Sequence, residues 1–296
     1  MLKNPRFRPT RCFIAIAVIV LCCTGIAVSS SFAGKTYASS LLIELQRSLI
    51  GPVDRLFGDD PTASVQFAQL GLTPVFSDDF SSNTNAAFTT AGLIGTSSFS
   101  VNRSVAGDWG ARRNPSPAQL ELTNDVSATS NANGWVFAHV PTSTFASPYT
   151  PVLANNPAKV TWTFNMRQSQ LNPDGFSGES TYGVAFVLGS NSSSPDIGIG
   201  IRGYAVSLGE NLSTDRIRLV RFENGLQSGL TSIIQSNTTG LIDFGSEYLS
   251  IKVTYMPASN QWELFLRNDG ASFTDPASGT YVSQGTATNN THTGVA

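Results

Sequence analysis

One short segment after another in this chain alternates polar and apolar residues, and that alternation fixes the kind of fold available to it. In "KVTWTFNMR" (159–167), Val160, Trp162, Phe164 and Met166 alternate with Lys159, Thr161, Thr163 and Asn165. In "YLSIKVTYMPASNQWELFLRNDG" (248–270), Leu249, Ile251, Val253 and Tyr255 alternate with Tyr248, Ser250, Lys252 and Thr254. Beyond "MPASN", Trp262, Leu264 and Leu266 alternate with Gln261, Glu263, Phe265 and Arg267. A period of two turns one row of side chains toward an apolar core and the other toward water, so these are strands joined by turns. "YGVAFVLG" and "GYAVSLG" are short apolar runs ending in glycine, and "DRIRLVRFENG" sets Ile217 and Leu219 inward, Arg216 and Arg218 outward, before a turn at Asn224-Gly225. No stretch of comparable length after residue 71 reads as a helix. The expectation is an all-β, antiparallel, two-sheet jelly-roll sandwich.

The first 33 residues are written differently. Lys3, Arg6, Arg8 and Arg11 stand without an acid, "CFIAIAVIVLCCTGIAV" follows as an apolar run, and Ser31 and Ala33 make a small-x-small site. This is the three-part plan of a secretory signal peptide cut after Ala33; the alternative is an uncleaved anchor. Residues 34–70 are expected to be a spacer, with a short amphipathic helix over Leu41, Leu42, Leu45 and Leu49 stopped by Gly51-Pro52. Residues 71–296 form the β-domain.

Cleavage would remove Cys12, Cys22 and Cys23, leaving no disulfide, zinc–thiolate site or cysteine nucleophile in the exported part. It would also remove four of the 18 basic residues, leaving 14 against 20 acidic ones, a net charge of about −6. Only 13% of the chain is charged, against roughly 25% in ordinary soluble domains. No basic stripe exists, so nucleic acid is not an expected partner, nor is membrane insertion if the leader is cut.

The order "VFSDDF", "GDWGARRNPSPAQLELTND", "KVTWTFNMRQ", "YGVAFVLG", "GYAVSLG", "DRIRLVRFENGLQ" and "YLSIKVTYMPASNQWELFLRNDG" resembles bacterial concanavalin A-like jelly rolls, closest to their laminin-G-like members. The resemblance covers roughly residues 71–296. It implies the fold, and it admits lectins, glycosidases, adhesion modules and structural spacers. Such domains usually close with a further strand near the first one; the tail "NNTHTGVA" shows none, so a missing closing strand is expected. The resemblance also implies a structural Ca²⁺ near the first strand, where Asp78 and Asp79 would supply hard oxygen ligands; the other reading makes them turn-forming aspartates.

Catalysis is not the expectation. Retaining glycosidases place two carboxylates about 5 Å apart, and the laminarinase-like members carry them as E-x-D-x-E on one strand. This chain has no such run; Glu121, Glu179 and Glu263 stand alone and read as solvated residues. His139 and His292 are the two histidines, one expected as a hydrogen-bonded strand residue and one in a frayed tail, and no G-x-S-x-G elbow is present.

Binding is the expectation instead. Asn165 and Arg167 lie opposite Trp162 and Met166, Arg218 lies on the polar side of its strand, and Tyr182 opens another. If these strands neighbour one another, amide, guanidinium and phenol groups converge as a sugar site requires, with Trp109 and Trp135 as aromatic platforms from loops; the other reading has both tryptophans packing the core or capping its ends. Arg112 and Arg113 would meet an acidic glycan or be solvated. Ser250, Lys252, Thr254 and Glu263 read as an ordinary wet face. The expected function is non-catalytic carbohydrate binding, secreted or at the cell surface, with a glycan or polysaccharide as partner. The alternatives are a structural or adhesive module contacting extracellular protein, and a hydrolase or lyase with an unrecognised carboxylate pair. No cofactor beyond that Ca²⁺ is called for.

Overall fold

The computed structural model describes residues 21–24, 72–80, 88–104, 109–115, 118–123, 134–168, 174–176, 183–195, 198–210 and 214–294. The protein is all-β, built from antiparallel strands in several sheets. The only helical pieces among the described residues are single 3-10 turns at Thr142–Thr144, Leu153–Asn155, Leu226–Ser228 and Pro257–Ser259. Residues 1–33, where the leader is expected, fall outside the described residues except for the backbone of Leu21–Thr24, and the expected spacer helix falls outside them entirely.

In chain order the strands are β1 (Leu21–Thr24), β2 (Leu72–Phe76), β3 (Gly92–Leu93), β4 (Ser100–Arg103), β5 (Gly110–Pro115), β6 (Ala118–Thr123), β7 (Val136–His139) and β8 (Val160–Met166). They continue with β9 (Val184–Ser190), β10 (Arg202–Leu208), β11 (Ile217–Glu223), β12 (Leu230–Gln235), β13 (Tyr248–Met256), β14 (Gln261–Gly270) and β15 (Val282–Thr288). A six-stranded sheet runs β15-β14-β13-β8-β1-β2 and a four-stranded sheet β12-β11-β10-β9. β3-β4-β7 and β5-β6 form two smaller sheets.

The β13–β14 hairpin follows from its sequence. Pro257 opens the 3-10 turn, and Asn260, a residue that tolerates the left-handed region, takes φ 52° and sends its N–H back to the Pro257 carbonyl. That turn fixes the register, Tyr255 opposite Trp262 and Ile251 opposite Leu266. Leu249, Ile251, Val253, Tyr255, Trp262, Leu264 and Leu266 are then all buried on one face, as their alternation requires.

That face and the four-stranded sheet share one core. Phe164 of β8 stacks on Phe186 of β9 with ring centroids 3.7 Å apart, and Tyr204 of β10 packs 4.5 Å from Trp262. The other face of the four-stranded sheet is also buried. Ala185, Ala205, Val220 and Phe222 pack there against Phe137, Phe176 and Leu226. Burial on both sides explains why β9 and β10 read as unbroken apolar runs and do not alternate. Gly203, inside β10, is required by close approach: a Cβ there would stand 2.1 Å from the Gly189 carbonyl oxygen on β9. Gly203→Ala is therefore expected to lower stability by about 2 kcal/mol in urea unfolding, because backbone must shift to admit the methyl.

The C-terminal part is a strand and a packed tail. "YVSQGTAT" supplies β15, which pairs with β14 at the opposite edge of the six-stranded sheet from β2. Gln284 of β15 is buried, and its side-chain Oε1 accepts the N–H groups of Asn237 (3.0 Å) and Thr238 (3.2 Å), which follow β12 in the other sheet. His292, expected in a frayed tail, is 5% exposed; its N–H donates to the Tyr204 hydroxyl, which donates to Asn289 Oδ1. Trp262, whose Nε1–H donates to the Asn289 carbonyl at 2.9 Å, joins Tyr204 in holding that tail in place.

Candidate functional site

The outward face of β8, β13 and β14 is not the wet face expected from alternation. Ser250 is fully buried, Thr254 is buried, and Lys252 is half-buried. The cause is the segment after β14, which folds back over this face. Arg267 donates to the carbonyls of Ser278 and Asp275, and the Tyr281 hydroxyl donates to the Pro276 carbonyl.

Under that cover lies a connected polar network. Asp269, whose side chain is 2% exposed, is ion-paired with Arg267 on the same strand. Positions two apart on a strand share a face, which brings this pair together. Ser250 Oγ donates to Asp269 Oδ2 (2.6 Å) and accepts from Arg267 Nη2 (2.9 Å). Asn165 reaches across from β8, its Nδ2 donating to Asp269 Oδ2 at 3.1 Å; the register sets Asn165 opposite Ser250 and Ser250 opposite Arg267.

Aromatic rings flank the network on both sides. Toward the turn, the Lys252 ammonium stands 4.2 Å from the Phe265 ring centre and 5.1 Å from that of Tyr281. Burial lowers the Lys252 pKa, an effect that Glu263 partly offsets and Lys159 adds to. Burial likewise raises the pKa of the Tyr281 phenol. On the other side, Arg167 donates to the Ser246 carbonyl (2.7 Å) and to the Tyr248 hydroxyl (3.3 Å), with its guanidinium 4.6 Å over the Tyr248 ring. Phe273 meets Tyr248 edge-on and stays 45% exposed.

The residues expected to form a site are only partly brought together. Asn165 and Arg167 share this face. Arg218 belongs to the other sheet, where it is 6% exposed and donates to the Gly175 carbonyl (2.5 Å), so it does not converge with them. Burial lowers its pKa. Trp109 is fully buried in the main core and offers no platform to a ligand; its position at the head of β5 points it inward. Trp135 is half-buried against Phe137. Tyr182 and Glu179 lie outside the described residues. Arg112, its side chain 35% exposed, pairs with Glu121 across β5–β6, and Arg113 donates to the Phe80 carbonyl. Burial raises the Asp78 pKa, and Asp78 Oδ1 accepts the Phe80 N–H (2.7 Å), the geometry of a turn-forming aspartate. His139, on β7 opposite Ser100, leaves its Nδ1 buried without a hydrogen bond, and burial lowers its pKa. Among the described residues no three His, Cys, Asp or Glu side chains converge as a metal site would need.

A second unusual carboxylate lies just before β11. Asp215 is 1% exposed, and neither of its oxygens has a hydrogen-bond partner among the described residues. Its pKa is pushed up to about 7, first by burial and then by the neighbouring Asp243; the Glu210 N–H pulls the other way without reaching hydrogen-bond geometry.

Sequence reasoning missed Arg267, Asp269, Lys252, Phe273 and Tyr281. One signal was in view: Phe265 is a large apolar ring in the row meant for water, and such a residue calls for a covering segment or a ligand. Comparison with family models, with curated proteins and with solved structures found no match.

Proposed function

We propose that the β8–β13–β14 face binds carbohydrate without transforming it, in a protein exported to the cell surface or beyond. The finer architecture in this reading is a concanavalin A-like jelly roll, supported by the two larger antiparallel sheets that contribute to one core. The observation that carries the function is the juxtaposition on one face of amide and guanidinium groups with phenyl and phenol rings, from Asn165, Arg167, Arg267, Phe273 and Tyr281, with the covered Asp269 holding Asn165 and Arg267 in place. Planar polar groups held rigid by one another select hydroxyl patterns, and an exposed ring accepts the C–H face of a sugar. Export is supported by the tripartite pattern of residues 1–33.

Phe273 is the exposed ring in this arrangement. Phe273→Ala is expected to weaken binding to the preferred immobilised polysaccharide about tenfold, as the loss of one stacked ring would, with an unchanged melting temperature. Equal affinity in parent and variant would remove this face from the binding site.

A second reading has its own observation. Asp269, Arg267, Ser250 and Asn165 satisfy one another, as they would in a face built only for rigidity. A folded protein that ignores every polysaccharide and is retained by extracellular protein would favour this structural or adhesive role.

A further inference from the structure

Lys252 is a half-buried cation on this face. Arg267 is held by Asp269, and Arg167 by the Ser246 carbonyl and the Tyr248 hydroxyl. The Lys252 ammonium lies between the Phe265 and Tyr281 rings and makes no hydrogen bond or ion pair with any described residue. Glu263, the acid whose charge acts on it, accepts from Ser283 Oγ at 3.3 Å. Ring faces stabilise an ammonium through their quadrupoles but leave its three N–H donors unused. A half-buried charge with unused donors, beside a connected polar network and under aromatic rings, is placed to receive an anion from outside.

We infer that the glycan bound on this face is anionic, and that its carboxylate or ester sulfate is taken by Lys252 between Phe265 and Tyr281. The inference rests on the carbohydrate reading above and narrows it to one ligand class. Net charge does not draw a polyanion to the protein: the whole chain carries −2. Selection therefore acts through the local geometry around Lys252, and a bulk field does not supply it. A charge-assisted hydrogen bond there would form in the desolvated setting that the two rings create.

The test measures retention of the full chain on immobilised alginate and polygalacturonate, which carry carboxylates, on dextran sulfate, and on neutral dextran and laminarin. Saturable binding to one anionic polymer is expected, with Kd raised at least tenfold by Lys252→Met and largely restored by Lys252→Arg. Glu263→Gln, which removes the adjacent acid, should tighten binding to the same polymer about twofold, and it keeps the test alive if Lys252→Met does not fold. Preference for a neutral glycan with Lys252→Met unaffected would overturn the inference and leave the carbohydrate reading standing. Equal binding to all the anionic polymers, again indifferent to Lys252, would mean diffuse ion exchange and would also overturn it. Failure of the folded protein to bind any polymer would overturn the carbohydrate reading itself.

Discussion

Asp269→Ala should lower the urea-unfolding free energy by about 3 kcal/mol, the order seen when one member of a buried pair is removed. The Asp269 side chain is 2% exposed and answers three donors: the Arg267 guanidinium, Ser250 Oγ and Asn165 Nδ2. Without it the guanidinium keeps its desolvation and loses its anion, and Ser250 and Asn165 lose their shared acceptor. Asp269→Asn should cost less, since an amide oxygen still accepts from Ser250 and Asn165. Equal losses for the two variants would mean that charge is not what the network requires. The same substitutions should release the segment Asp275–Ser278 from the sheet, because Arg267 is what fastens it there; faster proteolytic nicking at those residues would report it.

Asp215→Asn should act in the opposite direction, and its effect should depend on pH. The carboxyl gives up its proton at 3.8 in the unfolded chain and only at about 7 in the folded one. Between those values the folded state binds the proton more tightly, so the contribution to stability is full below 3.8 and is lost as pH rises through 7. At pH 8 the folded protein must hold an unpartnered charge in a site 1% exposed. The asparagine variant should be more stable than the parent there by about 3 kcal/mol, the excess of a buried unpaired charge over a neutral amide. At pH 4, where Asp215 is already neutral in the fold, the two proteins should differ little. Urea midpoints taken from pH 4 to pH 8 decide this, and a gap between parent and variant that does not widen with pH would show that Asp215 is answered by some other group.

The strands were legible because each apolar row has one place to go. Trp162, Phe164, Ile251, Val253, Trp262 and Leu264 all reach the core they point to by alternation. The site was only half legible, because alternation assigns a face and says nothing of what later folds over it. Ser250 reads as wet until Asp275–Tyr281 closes above it. Asn165 and Arg167 were found because they share a strand. Arg218 was misplaced because β11 has a second buried face, and a sequence with both faces apolar gives an arginine no obvious side. Trp109 looked like a loop platform because its neighbours are glycine and aspartate, yet the strand that follows carries it inward. His292 looked frayed because nothing local predicts that a hydroxyl at Tyr204, far off in sequence, will hold its backbone.

Gln284 bears on how this protein behaves among its own copies. An edge strand ordinarily offers a straight row of free amides and carbonyls to the next molecule, and crowded surfaces punish that. Here the edge strand β15 breaks its ladder at the Leu264/Phe265 irregularity, where Gly285 takes φ 119°, and one residue earlier Gln284 reaches inward to the backbone that follows β12. The two sheets are thereby laced together along that flank, and the kinked strand is a poor template for a neighbour. Copies of this chain can then lie side by side at high concentration without joining into fibres.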